Sequence, residues 1–110
     1  MEGGGARWER VLTADELAPG TVRAVQVGER RLCLARTLAG EVLAVDDRCT
    51  HEDEPLSGGW LDGDRIECPA HNAIFDLRSG EALALPAIDP VVTYEAAEVD
   101  GEIQVVVPPA

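Results

Sequence analysis

Both histidines of the chain stand close behind a cysteine. The spacing is Cys49-x-His51, then sixteen residues, then Cys68-x-x-His71. Two short hooks, far apart in sequence, each offer one thiolate and one imidazole, which makes them a candidate metal-ligating set. Three explanations compete. Coincidence is the weakest, because the chain has only these two histidines and both are in register behind a cysteine. A tetrahedral zinc site is compatible with two cysteines and two histidines, although zinc hooks usually pair like with like and these are mixed. The third is a two-iron cluster in which two imidazoles replace two thiolates on one iron. Mixed hooks suit it, because each hook can give its cysteine to one iron and its histidine to the other.

Other chemistries find less support. The acidic residues include no convincing acid–base pair, and no Gly-rich phosphate loop occurs. With both histidines committed to metal, no Ser-His or Cys-His nucleophile can be assembled. The third cysteine, Cys33, lies in a strand pattern and reads as a small buried apolar residue. Three is an odd number, so a disulfide framework is not expected, and a reducing cytoplasm is the expected compartment.

Charge narrows the partners. All nine basic residues are arginine, and the net charge is −12. Residues 1–45 balance six acids against six arginines; residues 46–78 carry nine acids against Arg48, Arg65 and Arg78; residues 79–110 carry six acids and no base. Such a field repels nucleic acid and anionic membrane and favours a basic protein partner. No apolar run approaches the length of a membrane span, and the start of the chain lacks the apolar core of an export signal. The glycines at 3–5 predict a flexible tail over residues 1–6.

The elements that must position the hooks are short strands. The core has to be aliphatic, since the aromatic residues are only Trp8, Trp60, Phe75 and Tyr94. Thr13 with Glu16 three residues later forms a capping-box pattern for a single helical turn, closed by Pro19-Gly20. Residues 21–27 alternate as a strand. In residues 30–37, Leu32 and Leu34 share one face while Cys33 and Ala35 share the other. A third strand is read at 41–46, and residues 91–99 and 102–107 flank the turn Asp100-Gly101 as a terminal hairpin. From about 47 to 87 apolar periodicity weakens, and Gly, Pro and acids increase. The prediction is one all-β domain spanning 1–110, with a loop-rich subdomain at 47–87 set into an antiparallel base. Trp60 is expected to pack under a loop of that subdomain.

The stretches "CTH", "PLSGGWLDGD", "RIECPAH", "FDLRSGEAL" and the later "LPA" resemble the Rieske ferredoxins of bacterial aromatic-ring dioxygenase systems. The resemblance covers roughly residues 42 to 107. It implies a Rieske fold, an antiparallel β-sandwich base with an inserted cluster-binding subdomain and three small sheets in all. It also implies one 2Fe–2S cluster, with Cys49 and Cys68 on one iron and His51 and His71 on the other. Pro86 then aligns with a loop that shields the cluster in the family, although a simple turn proline fits as well.

The implied role is a one-electron carrier, not an enzyme, working between a flavin-containing reductase and a terminal oxygenase with a basic docking patch. The expected carrier is a cytoplasmic monomer, too short to hold the oxygen-activating iron domain itself. Rival routes are a nitrite reductase small subunit or a companion of cluster assembly. The rival from another class is a zinc-stabilised interaction module.

The choice of imidazole has an electrostatic consequence. Two ferric ions, two sulfides and two thiolates sum to zero charge with neutral histidines, so an added electron meets less repulsion than in a four-thiolate cluster. High-potential relatives carry an extra cysteine in each hook, where this chain has Glu54 and Ala70. They also carry a Ser and a Tyr, where this chain has Ala73 and Phe75. Asn72 stands where many relatives have Gly and is read as neutral, since Asn tolerates a left-handed backbone. With Glu52, Asp53 and Glu54 beside His51, these departures predict the low end of the Rieske range, around −150 mV.

Overall fold

The computed structural model describes residues 7–50, 54–69, 73–85 and 89–108. These form eleven short strands and two 3₁₀ turns, arranged as three antiparallel sheets. Strands β1 (Arg7–Thr13), β10 (Ala96–Val99) and β11 (Glu102–Val107) make the first, with β11 in the middle. Strands β2 (Thr21–Val27), β3 (Arg30–Arg36), β4 (Val42–Asp46) and β9 (Thr93–Tyr94) make the second, in that order. Strands β5 (Trp60–Asp62), β6 (Arg65–Glu67), β7 (Ile74–Asp76) and β8 (Ala82–Ala84) make the third, lying wholly within the segment read as loop-rich.

The second sheet is the shared layer. Along β3 the pleat sends alternate side chains to opposite faces, and both faces are buried. Leu32 and Leu34 join Leu17, Ala44, Ile103, Val105 and Val107 in the core against the first sheet. Cys33 and Ala35 join Val45, Ile66, Phe75 and Leu77 in a second core against the third sheet. The two-faced reading of residues 32–35 is therefore correct. Each fully buried leucine contributes about 1.5–3 kcal/mol of transfer free energy, so β3 anchors both halves of the molecule.

Polar groups fix the sheets to one another. Arg36, only 8% exposed, donates to the Leu17 carbonyl at 2.7 Å and to Glu98 of β10 at 2.9 Å. Thr13 caps the first 3₁₀ turn, its N–H donating to the Glu16 carboxylate at 2.9 Å, as the capping box predicts. That hydrogen bond, made to the charged form, holds the Glu16 carboxyl below its ordinary range. Arg78, after β7, pairs with Asp64 at 2.8 Å and with Glu41, stapling the third sheet to the turn between β3 and β4. No buried side-chain nitrogen or oxygen is left without a partner among the described residues.

Three expectations change. The run 91–99, read as one strand, divides into β9 on the second sheet and β10 on the first, and only β10 forms the hairpin with β11. Residues 7–13, assigned to no element from sequence, form a full strand paired with β11 from Arg7↔Val107 to Thr13↔Glu102. Trp60 does not pack under a loop: it begins the edge strand β5 and is 58% exposed. The tail 1–6 and Pro86 lie outside the described residues. No helix among the described residues is long and apolar enough to cross a membrane.

Candidate metal centre

The second hook grows out of a hairpin. Strands β6 and β7 pair as Arg65↔Asp76, Ile66↔Phe75 and Glu67↔Ile74. The ladder runs one rung further, with the Cys68 N–H donating to the Ala73 carbonyl at 2.7 Å. The residues enclosed by that rung include His71. The first hook has the same closing bond without flanking strands: the Cys49 N–H donates to the Glu54 carbonyl at 2.8 Å, enclosing residues 50–53 with His51 among them. His51 and His71 themselves lie outside the described residues.

The two cysteines share one environment. Cys49 and Cys68 are both fully buried, in a single core cluster with Leu56, Ile66, Ala73, Phe75 and Leu77. Neither they nor Cys33 form a disulfide. Each therefore stands at the foot of a loop, in apolar surroundings, with its histidine further along the same loop in sequence. That donor set fits a 2Fe–2S cluster with mixed ligands: two thiolates from the buried side, and two imidazoles from the enclosed residues. Positions 73 and 75 offer no hydroxyl: Ala73 and Phe75 are both fully buried in this core.

The surroundings hold the first hook against its neighbours. Thr50, between Cys49 and His51, donates its hydroxyl to the Asp89 carbonyl at 2.7 Å. Val91 donates its N–H to the Gly80 carbonyl at 2.8 Å, tying the chain beyond residue 88 to the turn after β7. Gly80 has φ +81°, and a Cβ there would lie 2.2 Å from the Val91 carbonyl oxygen, so the close approach requires glycine. At the end of β4, which leads into the hook, Tyr94 donates to Asp46 at 2.5 Å and accepts from Arg30 at 3.3 Å. Burial, then the hydrogen bond to Asp46, raises the Tyr94 phenol above its ordinary range.

Cys33 lies in the same core as the paired cysteines but on strand β3. Burial, helped by the charge of Asp47, pushes its thiol up, which keeps it protonated and inert. It is the structural residue its strand position predicts. Asp47, Ser57 and Arg31 carry contacts around the first hook that sequence reasoning missed. The only signal was a second acid, Asp47, following a strand that already ends in Asp46.

The sequence matches the Rieske [2Fe-2S] domain over residues 7–95. It is 43% identical over 98 residues to the 3-phenylpropionate/cinnamic acid dioxygenase ferredoxin subunit of Photorhabdus laumondii subsp. laumondii, covering 88% of this chain and 91% of that one. Among solved structures, the ferredoxin of carbazole 1,9a-dioxygenase from Nocardioides aromaticivorans IC177 superimposes with a TM-score of 0.85 at 34% identity, covering 93% of this chain and 98% of that one. A chain from the complex of reduced oxygenase and oxidized ferredoxin in carbazole 1,9a-dioxygenase gives 0.82 at 36%, covering 89% and 91%. With these relatives, the three antiparallel sheets and the two buried cysteines are those of an iron–sulfur protein. More narrowly, the chain belongs to the Rieske [2Fe-2S] family, and its cofactor is one Rieske-type 2Fe–2S cluster.

Proposed function

We propose that this protein is the ferredoxin of an aromatic-ring-hydroxylating dioxygenase system. It takes one electron at a time from a flavin-containing reductase and delivers it to the terminal oxygenase. It is a carrier and not a catalyst. The observation that carries this reading is the 43% identity to a dioxygenase ferredoxin subunit over nearly the whole of both chains. That identity favours this route over a nitrite reductase subunit or a companion of cluster assembly.

The proposed ligands are Cys49 and Cys68 on one iron and His51 and His71 on the other. The support is the common burial of the two cysteines and the matching bonds that close a histidine-bearing loop above each. The proposed docking surface includes Glu52, Asp53 and Glu54. Glu54 is exposed while its carbonyl closes the first hook, which puts its charge at the loop's foot facing solvent. A reductase or oxygenase with a basic patch complements it. With a net charge of −12 the chain repels its own copies, which supports a monomer. The odd cysteine count supports a cytoplasmic location.

Metal and acid-labile sulfide analysis tests the reading. Two irons and two sulfides per chain are expected, and a single zinc without sulfide refutes it. Cys49→Ser and Cys68→Ser each abolish the cluster. His51→Cys or His71→Cys, where a cluster still assembles, makes it more negative and lowers its potential. A Cys68→Ser protein with full iron and sulfide would overturn the ligand assignment.

A further inference from the structure

The two hooks are closed by different means. At the second, the backbone ladder of β6 and β7 runs without a break into the Cys68–Ala73 rung. At the first, β4 ends at Asp46, and among the described residues no strand stands opposite it across the hook: its ladder partners are β3 and β9. A side chain supplies the next rung instead. Asp47 Oδ1 accepts the Ser57 N–H at 2.6 Å, and Oδ2 accepts the Ser57 hydroxyl at 2.7 Å and Arg31 Nε at 2.8 Å. The Asp47 N–H donates to the Arg31 carbonyl at 2.9 Å. The Asp47 side chain has no exposed surface, whereas that of Arg31 is 56% exposed. Water thus screens the positive partner, while the carboxylate sits in the interior two residues from Cys49.

We propose that Asp47 is the positioning residue of the cluster's first hook. Its carboxylate clamps the 3₁₀ turn Leu56–Gly58 to β3 and so keeps the loop shut around Cys49. Its buried negative charge disfavours an incoming electron and holds the potential down. The inference rests on the reading of Cys49 as a ligand.

Four substitutions separate clamp from charge, and Asp47→Ala removes both. Asp47→Asn keeps an acceptor for the Ser57 N–H and removes the charge. Ser57→Ala keeps the charge and removes one bond. Arg31→Met removes the counter-charge. Potential and resistance of the cluster to a chelator are measured on the holoprotein.

The potential is expected to rise in Asp47→Asn, to fall in Arg31→Met and to stay near wild type in Ser57→Ala. Chelator-driven cluster loss is expected to quicken by roughly tenfold in Asp47→Ala, as loss of a charge-assisted bond of that size implies, with Asp47→Asn and Ser57→Ala intermediate. A residue that only stabilises the fold would not move the potential in opposite directions in the Asp47 and Arg31 variants. An Asp47→Asn potential that is unchanged, or that shifts the same way as Arg31→Met, overturns the charge role. Wild-type chelator resistance in Asp47→Asn and Ser57→Ala overturns the clamp, and those two variants decide it even where Asp47→Ala does not fold. Full iron and sulfide in Cys49→Ser would refute the ligand reading. Cluster loss in Cys49→Ser with wild-type chelator resistance in every Asp47 and Ser57 variant would refute the clamp and leave the ligand reading standing.

Discussion

Three glycines around the cluster sheet allow backbone strain and steric overlap to be measured separately. Gly63, in the turn between β5 and β6, has φ +64°, and a Cβ there would meet nothing within 4 Å. Gly63→Ala therefore isolates the cost of a left-handed residue, about 1–2 kcal/mol. Gly59 has φ −93°, open to any residue, but its Cβ would lie 1.9 Å from the Glu67 carbonyl oxygen. Gly59→Ala isolates the overlap, which backbone movement relieves at on the order of 1–3 kcal/mol. Gly80 combines both, with φ +81° and the Val91 carbonyl oxygen 2.2 Å from its Cβ. Gly80→Ala should cost roughly the sum, about 2–5 kcal/mol, a large share of a total stability of about 5–15 kcal/mol.

Urea midpoints of the holoproteins should fall in the order Gly63→Ala least, Gly80→Ala most. Glu67 adjoins Cys68, so Gly59→Ala should also lower the iron content per chain, whereas Gly63→Ala should not. A Gly63→Ala loss equal to or above that of Gly80→Ala would refute the reasoning, as would full cluster content with an unchanged midpoint in Gly59→Ala.

Other outcomes follow from the charges. Hydrogen bonds from Arg78 hold the Glu41 and Asp64 carboxyls below their ordinary values. A depressed folded pKa adds stability above the unfolded carboxylate value, and that stability disappears as pH falls through the folded one. The urea-midpoint gap between wild type and Arg78→Gln should therefore be present at pH 7 and vanish in acid, well below about pH 4; a gap surviving there would count against the staple. Replacing Glu52, Asp53 and Glu54 by Gln or Asn should slow electron transfer at low salt by roughly tenfold. The deficit should fade as salt shortens the Debye length to about 3 Å, and a salt slope matching wild type would remove the docking claim. Because a negative surround favours protonated ligands, the potential should be nearly flat around pH 7 and fall only in alkaline solution. Voltammetry across pH 6–10 checks this, and a steep slope between pH 6 and 7 contradicts it.

Where the sequence was legible, the signal was local. Strand β2 and the alternation of Leu32, Cys33, Leu34 and Ala35 on β3 each follow from a few consecutive residues. So does the hairpin at Asp100-Gly101, whose residues adopt φ +53° and φ +80° as such a turn requires. Strand β1 was missed because its pairing is remote: Arg7, Trp8, Glu9 and Arg10 show no clean apolar face, and their partners lie at the other end of the chain, on β11. Strands β5 to β8 have three residues each, too few for a period of two to stand out, and their register is set by Gly turns and by the hook rung. Trp60 was misplaced for the same reason, since an edge strand of that length gives no hint of which face is covered.

The ligand set was legible for a different reason. A metal constrains residue type directly, so two cysteines and two histidines at a fixed spacing carry the chemistry before any fold is known. What holds them carries no such mark. Asp46 and Asp47 are chemically identical neighbours, and the end of β4 falls between them. Asp46 points to Tyr94 at the side of the base, while Asp47 turns inward to Ser57 and Arg31. The partner Ser57 is ten residues away, across a hook whose closure itself depends on the bond. Neither composition nor periodicity encodes such a contact. It exists only once β4 has paired with β3 and the chain beyond Asp46 has turned back toward Arg31 and Ser57, so the residue proposed to hold the cluster's potential down is specified by that pairing and not by a motif.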